Sequence, residues 1–166
     1  MSIEVSYGLH PPSYTSMKLL SGPPRSGSNM IYSSLYAAYD ALSAHMQTYL
    51  KNLTALHSAD REISGAQAAK LPVRRQPVTT EHPLIRTNPV TGWNALFFNP
   101  THVIRIVGVS EAESDAVTRY LTEVVSTTHH TQARVQLRSS DVAIWDSRVT
   151  VSLILACWVL CGLIMV

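Results

Sequence analysis

The chain has 166 residues, 46% hydrophobic and 14% charged, with 13 Lys+Arg against 11 Asp+Glu for a formal charge of +2. That length supports one domain with a core of its own rather than two, and so low a charged fraction excludes a highly charged disordered tail as the main content. Basic residues occur only in short pairs such as Arg74-Arg75, so the basic stripe of a nucleic-acid binder is missing and no nucleic-acid partner is expected.

The first fourteen residues, MSIEVSYGLHPPSY, contain no basic region followed by an apolar run. A secretory signal is therefore not expected, and a cytoplasmic location is. Residues 13–20 alternate Tyr14, Ser16 and Lys18 against Thr15, Met17 and Leu19, which predicts a half-buried strand. The run SGPPRSGS ends it with a turn. Beyond Asn29 a short strand passes into a helix near Ser33 or Ser34, either of which could cap it, with Leu35, Ala38, Tyr39 and Leu42 as the apolar stripe. Ser43 could cap a second helix, with Met46, Leu50, Leu53 and Leu56 on one face. Asn52-Leu53-Thr54 matches a glycosylation sequon, expected to be incidental on a helix face without a secretory signal.

Residues 57–92 carry prolines at 72, 77, 83 and 89 and little periodicity. A stretch of that length predicts either disorder or an excursion over a sheet. Strands are predicted at 95–98, 103–107, 134–137 and 142–145. Between them Ser110-Glu111-Ala112-Glu113 reads as a capping box: the Ser110 hydroxyl accepts from the Glu113 amide and the Glu113 carboxylate reaches back to the Ser110 amide. Ala116, Val117, Tyr120, Leu121 and Val124 form the buried stripe of that helix, which should fade over 125–128, where β-branched and polar residues follow one another. Short strands with few helices predict a mostly β domain with flanking helices.

Three segments in order carry a resemblance: VSYGLHPPSYTSMKLLSGPPRSGSNMIYSSLYAAYDALS (5–43), HPLIRTNPVTGWNALFFNP (82–100) with the following RIVGVSEAESDAVTRYL, and DVAIWDSRVT (141–150). Together they resemble the TauD/TfdA-like iron(II)- and 2-oxoglutarate-dependent dioxygenases, most closely the fungal taurine/sulfonate dioxygenase branch. The resemblance spans about residues 5–150 and implies a double-stranded β-helix, or jelly roll. That fold would here be partial and incomplete at both ends, with a domain over 1–150 and an apolar tail over 151–166.

The family holds iron(II) with a His-x-Asp pair and a distant histidine. By the same resemblance Ser2 stands in place of the first histidine, Glu4 in place of the aspartate and Ser152 in place of the second histidine. The turn whose threonine helps hold 2-oxoglutarate is Ser26-Gly27-Ser28-Asn29 here, and the carboxylate-clamping arginine would lie beyond the sequence. A serine hydroxyl is a poor neutral ligand for iron(II), so neither iron nor 2-oxoglutarate is expected to bind, and no catalytic, cofactor or metal residue is assigned.

The histidines do not restore the set. His129 and His130 are adjacent and point apart on either a strand or a helix; His45 reads as a surface residue and His57 as a cap neighbour; His10 and His102 flank turns with no ligand partner at useful spacing. In relatives the neighbourhood of His82 and Arg86 lines the substrate cavity, so these two either keep pocket character or order a loop. Trp145 is expected in the core and Asp146 as a turn or salt-bridge acceptor for Arg148.

After Arg148 there is no charge. Residues 149–166 would reach about 27 Å as a helix, close to a bilayer's hydrocarbon thickness. Two explanations compete: a C-terminal membrane anchor, or an apolar run that begins where the family sequence is lost. The β-branched Val149, Thr150 and Val151 favour strand to about Ser152, then a short helix from about Leu153 of roughly 21 Å, too brief to span. Membrane association through 153–166 is accordingly expected to be weak. Cys157 and Cys161 lie in this apolar tail and define no disulfide framework. The functional expectation is a fragment-like or degenerate dioxygenase without catalysis. The alternatives are an active taurine/sulfonate-type oxidoreductase using histidines such as His82, His102, His129 and His130, and a non-catalytic, membrane-tethered interaction protein.

Overall fold

The computed structural model describes residues 5–21, 29–68, 78–154 and 160–165. Ser2, Glu4, residues 26–28, Arg74-Arg75 and Cys157 lie outside the described residues, and so do the prolines at 72 and 77.

The protein is mostly β, with every strand pair among the described residues antiparallel. β1 (Tyr14–Ser21) lies between β11 (Leu160–Met165) and β9 (Val142–Asp146). β2 (Asn29–Ser34) lies between β10 (Thr150–Ile154) and β8 (Gln132–Gln136). β3 (Thr54–Ser58) lies between β4 (Thr79–Pro83) and β7 (Val103–Val107), and β5 (Ile85–Thr87) forms a hairpin with β6 (Asn94–Leu96).

The alternation expected for β1 is present: Thr15, Met17 and Leu19 are buried while Tyr14, Lys18 and Leu20 are exposed. Met17, Leu19 and Trp145 from the first sheet meet Met30 from the second, with Leu137 closing the cluster. Thus two antiparallel sheets share an apolar interior, as a jelly roll requires.

The larger core lies where helices cover the third sheet and the hairpin. α1 (Leu35–Asp40) is capped by the Ser34 hydroxyl, which accepts from the Ala37 amide at 3.3 Å. α2 (Ala44–Leu50) is capped by Ser43, which accepts from Met46 at 3.2 Å. α3 (Asp60–Ala68) follows β3, and α4 (Glu111–Thr127) starts at Ser110, whose hydroxyl accepts from the Glu113 amide at 3.3 Å. The return half of the expected capping box is not made, because the Glu113 carboxylate accepts from the Tyr49 hydroxyl instead. Val117, Leu121 and Val125 of α4 pack with Ile106, Val103, Leu96 and Phe98 in one cluster.

Several expectations need correction. In α4, Ala116 and Tyr120 are exposed, Ser114 and Val125 join Val117 and Leu121 on the buried face, and the helix runs on to Thr127. Leu53 and Leu56 do not continue α2: the helix stops at Leu50, and Thr54–Ser58 is a central strand paired on both sides. Hydrogen bonding to two neighbours outweighs a helical spacing of leucines, since propensity is a weak prior against tertiary pairing. The 57–92 stretch is no bare loop, for it holds the end of β3, all of α3 and strands β4 and β5. Finally, the tail turns strand and not helix: β10 runs to Ile154 and residues 160–165 form β11 against β1, with Cys161 opposite Leu19. The apolar run LCGLIM finds in β1 a strand edge whose backbone groups it can pair. No helix among the described residues is long and apolar enough to cross a membrane.

Candidate functional site

The segment after position 4 enters the core as a turn, closed by the Gly8 amide donating to the Val5 carbonyl at 3.2 Å. Ser6 is buried, and its Oγ lies 2.8 Å from His102 Nδ1 and 3.0 Å from His57 Nδ1. A hydroxyl has one proton and two lone pairs. Ser6 can therefore donate to one imidazole and accept from the other, which requires the two rings to be opposite tautomers. His82, from β4, contacts the Gly8 carbonyl at 2.9 Å through Nε2 and lies 3.0 Å from Thr80 Oγ1. Thr80 in turn donates to the Tyr7 carbonyl at 2.8 Å. Histidines on β3, β4 and the turn before β7 thus hold residues 6–8 in place.

The rings also pack. His57 stacks on Phe97 at 5.4 Å between centroids and meets the edge of His82 at 5.4 Å, while Tyr7 stands edge-on to His102 at 4.9 Å. The Arg86 guanidinium lies 4.5 Å from the Phe97 centroid. Burial pushes His57 down to about 3, helped by the positive charges that His82, His102 and Arg86 would present. His82 is lowered as well, chiefly by burial, although its bond to Gly8 opposes this. His57 is thus neutral at physiological pH, and its Nε2 is buried without a hydrogen-bond partner among the described residues.

Beside Ser6 and His57 lies a narrow cavity with little free space, completed by Phe97, Phe98, Ser147 and the β10 residues Thr150 and Val151. The two chain segments that bear ligand positions in the resembled family therefore converge on one cavity. Ser152, next along β10, is buried and pairs across from Tyr32. Below it, Trp145 is buried in the core with its ring 5.2 Å from Tyr32, as expected. Asp146 receives Arg148 Nε at 2.9 Å and Nη2 at 2.6 Å, the ion pair expected from the sequence. Desolvation would raise the Asp146 carboxyl, but the Arg148 bonds and the Asn88 side chain hold it below its ordinary range.

The remaining candidates are dispersed. His10, His45, His129 and His130 are exposed, the last two in a 3-10 turn over His129–Thr131. Asn29 begins β2 opposite Gln136, and Asn52 is exposed in the turn before β3 and not on a helix face. His57 is no cap neighbour but a fully buried residue of β3, joined through Ser6 to His102, which stands in a turn as expected and is also fully buried. The usable signal for His57 was its place in ALHS, two residues after an alanine that faces the core. For His102 the sequence offers no comparable signal.

Comparison with known proteins gives the geometry its context. The chain belongs to the taurine catabolism dioxygenase TauD, TfdA family, whose model matches residues 3–151. An alpha-ketoglutarate-dependent sulfonate dioxygenase of Saccharomyces cerevisiae is 34% identical over 145 residues, covering 87% of this chain and 35% of the relative. A Schizosaccharomyces pombe protein described, provisionally, as such an enzyme is 35% identical, covering 89% of this chain and 38% of the relative. The crystal structure of a taurine dioxygenase from Burkholderia xenovorans superposes with a TM-score of 0.76 at 29% identity, over 92% of this chain and 50% of that one. The chain thus spans little more than a third of the length of these fungal relatives.

The family depends on iron and 2-oxoglutarate, so the donors on this chain can be tested against that chemistry. Ser152 presents a hydroxyl where the resemblance puts an imidazole. No group of three His, Cys, Asp or Glu among the described residues is placed to hold a metal ion. His57, His82 and His102 do gather, but Nδ1 of His57 and of His102 is turned to Ser6 and Nε2 of His82 to Gly8. The described residues do not fit iron(II).

Proposed function

We propose that this chain is a degenerate member of its family that does not carry out iron- and 2-oxoglutarate-dependent oxidation. Ser152 is the observation that carries this reading. By the resemblance it stands at the position of the family's second metal histidine, on the strand β10 that pairs with β2. A facial triad of two histidines and one carboxylate leaves no redundancy, and a neutral hydroxyl cannot supply a missing nitrogen donor of comparable strength. Ser2 and Glu4 strengthen the reading at the level of sequence. The proposal includes a cytoplasmic location and no nucleic-acid partner, in keeping with the dispersed basic residues.

Following succinate release from 2-oxoglutarate by the purified chain, with iron(II), ascorbate and taurine or another small sulfonate, tests this reading. Release indistinguishable from a metal-free control is expected. Iron-dependent turnover above that control overturns the proposal and makes recruited ligands the lead.

A further inference from the structure

The open edge of the first sheet lies away from the histidine cluster. Among the described residues β9 has one neighbour, β1, and so forms an edge of that sheet. Flanking β9, the Ser147 amide donates to the Ser13 carbonyl at 3.0 Å and the Leu19 amide to the Asp141 carbonyl at 3.0 Å. The odd-numbered residues here therefore turn their backbone groups toward β1 and the even-numbered ones turn theirs outward, as an antiparallel ladder alternates. The amides and carbonyls of Val142 and Ile144 thus line the edge, whereas the outward carbonyl of Asp146 accepts from the Val149 amide at 3.3 Å.

The side chains beside that edge are apolar and exposed. Ile144 is 69% exposed and Val142 56%, on the face that also carries the exposed Tyr14, Lys18 and Leu20 of β1. Soluble proteins guard such an edge with a proline, a lysine or a bulge. β9 reads VAIWD, and its register with β1 is unbroken. Its one charged residue, Asp146, is already paired with Arg148, so the edge carries no net charge to repel another strand.

We propose that β9 pairs antiparallel with β9 of a second copy of this chain, about a twofold axis through Ala143. In that register the amide and carbonyl of Val142 in each copy meet the carbonyl and amide of Ile144 in the other, so every outward group of these two residues is bonded. An axis through Ile144 instead sets Val142 opposite Asp146, whose carbonyl is already taken, and leaves the Val142 amide unbonded. The proposed register also lays Val142 against Ile144 twice on the exposed face, and cross-strand apolar pairs of this kind stabilise a sheet. Charge complements the pairing: on that face Lys18 of each copy comes within about 12 Å, Cα to Cα, of Asp146 in the other, at ordinary strand spacing and rise. Two three-stranded sheets become one of six strands. So short a contact covers far less than the roughly 1,200–2,000 Å² of a stable dimer, which makes this a weak pair, populated at high protein concentration.

Sedimentation equilibrium of the full chain, up to about 1 mM, tests the proposal. The mass should rise from 18.3 kDa toward twice that value and stop there, because a twofold contact is closed. Ile144→Lys should weaken association by at least about tenfold. Leu20→Lys, on the same face but one strand in from the edge, should leave it unchanged. At the axis the two Ala143 residues form a non-hydrogen-bonded pair with Cα atoms about 4.5 Å apart, so Ala143→Cys should join two copies by a disulfide under mild oxidation, above any background from Cys157 and Cys161. A chain that stays monomeric, growth beyond the dimer, equal loss of association in Leu20→Lys, or no disulfide above background overturns the proposal. Should Ile144→Lys fail to fold, hydrogen exchange of the wild-type Val142 and Ile144 amides decides: rates that do not slow as concentration rises refute the edge contact.

Discussion

Protonating His57 should unfold the protein, and the effect can be worked from the structure. The ring is fully buried, stacked on Phe97 and faced by His82, His102 and Arg86, which lowers it to about 3 from an ordinary 6.5. Between those two values the unfolded chain binds a proton that the folded one refuses, so stability rises with pH throughout that window. The contribution is fully present above pH 6.5 and is lost as pH falls toward 3. Each pH unit inside the window is worth about 1.4 kcal/mol, so going from pH 7 to pH 5 removes about 2 kcal/mol. Against a domain stability of roughly 5–15 kcal/mol this is a readily measured loss. His82, also lowered, adds to it with the same sign. Asp146 is depressed below a carboxylate's usual range, so its contribution disappears only at more acid pH, outside this interval.

His57→Gln isolates the effect, since the amide is neutral at both pH values and can still meet Ser6. Urea denaturation of the two chains at pH 7 and pH 5, with midpoints compared at constant slope, provides the measurement. The variant should start about 1–3 kcal/mol less stable at pH 7, through altered packing and an imperfect buried hydrogen bond. It should then lose about 2 kcal/mol less than wild type on going to pH 5. Equal losses in the two chains would refute the assignment of acid sensitivity to His57. A proton NMR titration of the wild-type ring gives an independent reading: a midpoint near 6.5 contradicts the burial argument.

Other substitutions probe the frame around the site. Ser110→Ala removes the cap hydroxyl of α4 and should cost about 1 kcal/mol by urea denaturation, with Ser110→Gly costing less. Leu121→Ala empties a fully buried position between α4 and β7 and should cost about 2–5 kcal/mol, read from the same midpoints.

Elements with a local physical cause were legible in the sequence. The cap at Ser110, the caps at Ser34 and Ser43 and the alternation of β1 all depend on neighbours within four residues, and each stands where the spacing placed it. Elements decided by distant partners were not. Leu50, Leu53 and Leu56 sit at helical spacing, and only β4 and β7, which arrive later in the chain, pull 54–58 into a sheet. The tail is the same case: its apolar residues suit helix and strand alike, and β1, more than a hundred residues earlier, decides for strand. The resemblance pointed to the neighbourhood of His82 and Arg86, and not to the cavity at Ser6, Thr150 and Val151. It did not reveal the histidine cluster, whose members are separated by twenty or more residues: His57 and His102 are bridged by Ser6, and His82 meets the His57 ring.

That cluster bears on how a chain could lose metal donors and keep its fold. A metal centre ties together strands that are remote in sequence, and removing its ligands would loosen them if nothing else held the same strands. Here the turn at residues 5–8 is tied to β3 and the turn before β7 through Ser6, to β4 through Gly8 and Tyr7, and none of these bonds uses a ligand position. On the other side β10 is fixed by its backbone ladder with β2 and by Val151 in the main core. Ser152 can therefore stand where an imidazole would without disturbing the strand, because pairing in a ladder depends on backbone groups and not on the identity of one side chain. The bonds that hold this architecture are separate from the positions at which the resemblance puts metal donors, so a family-like backbone around the cavity says nothing by itself about turnover.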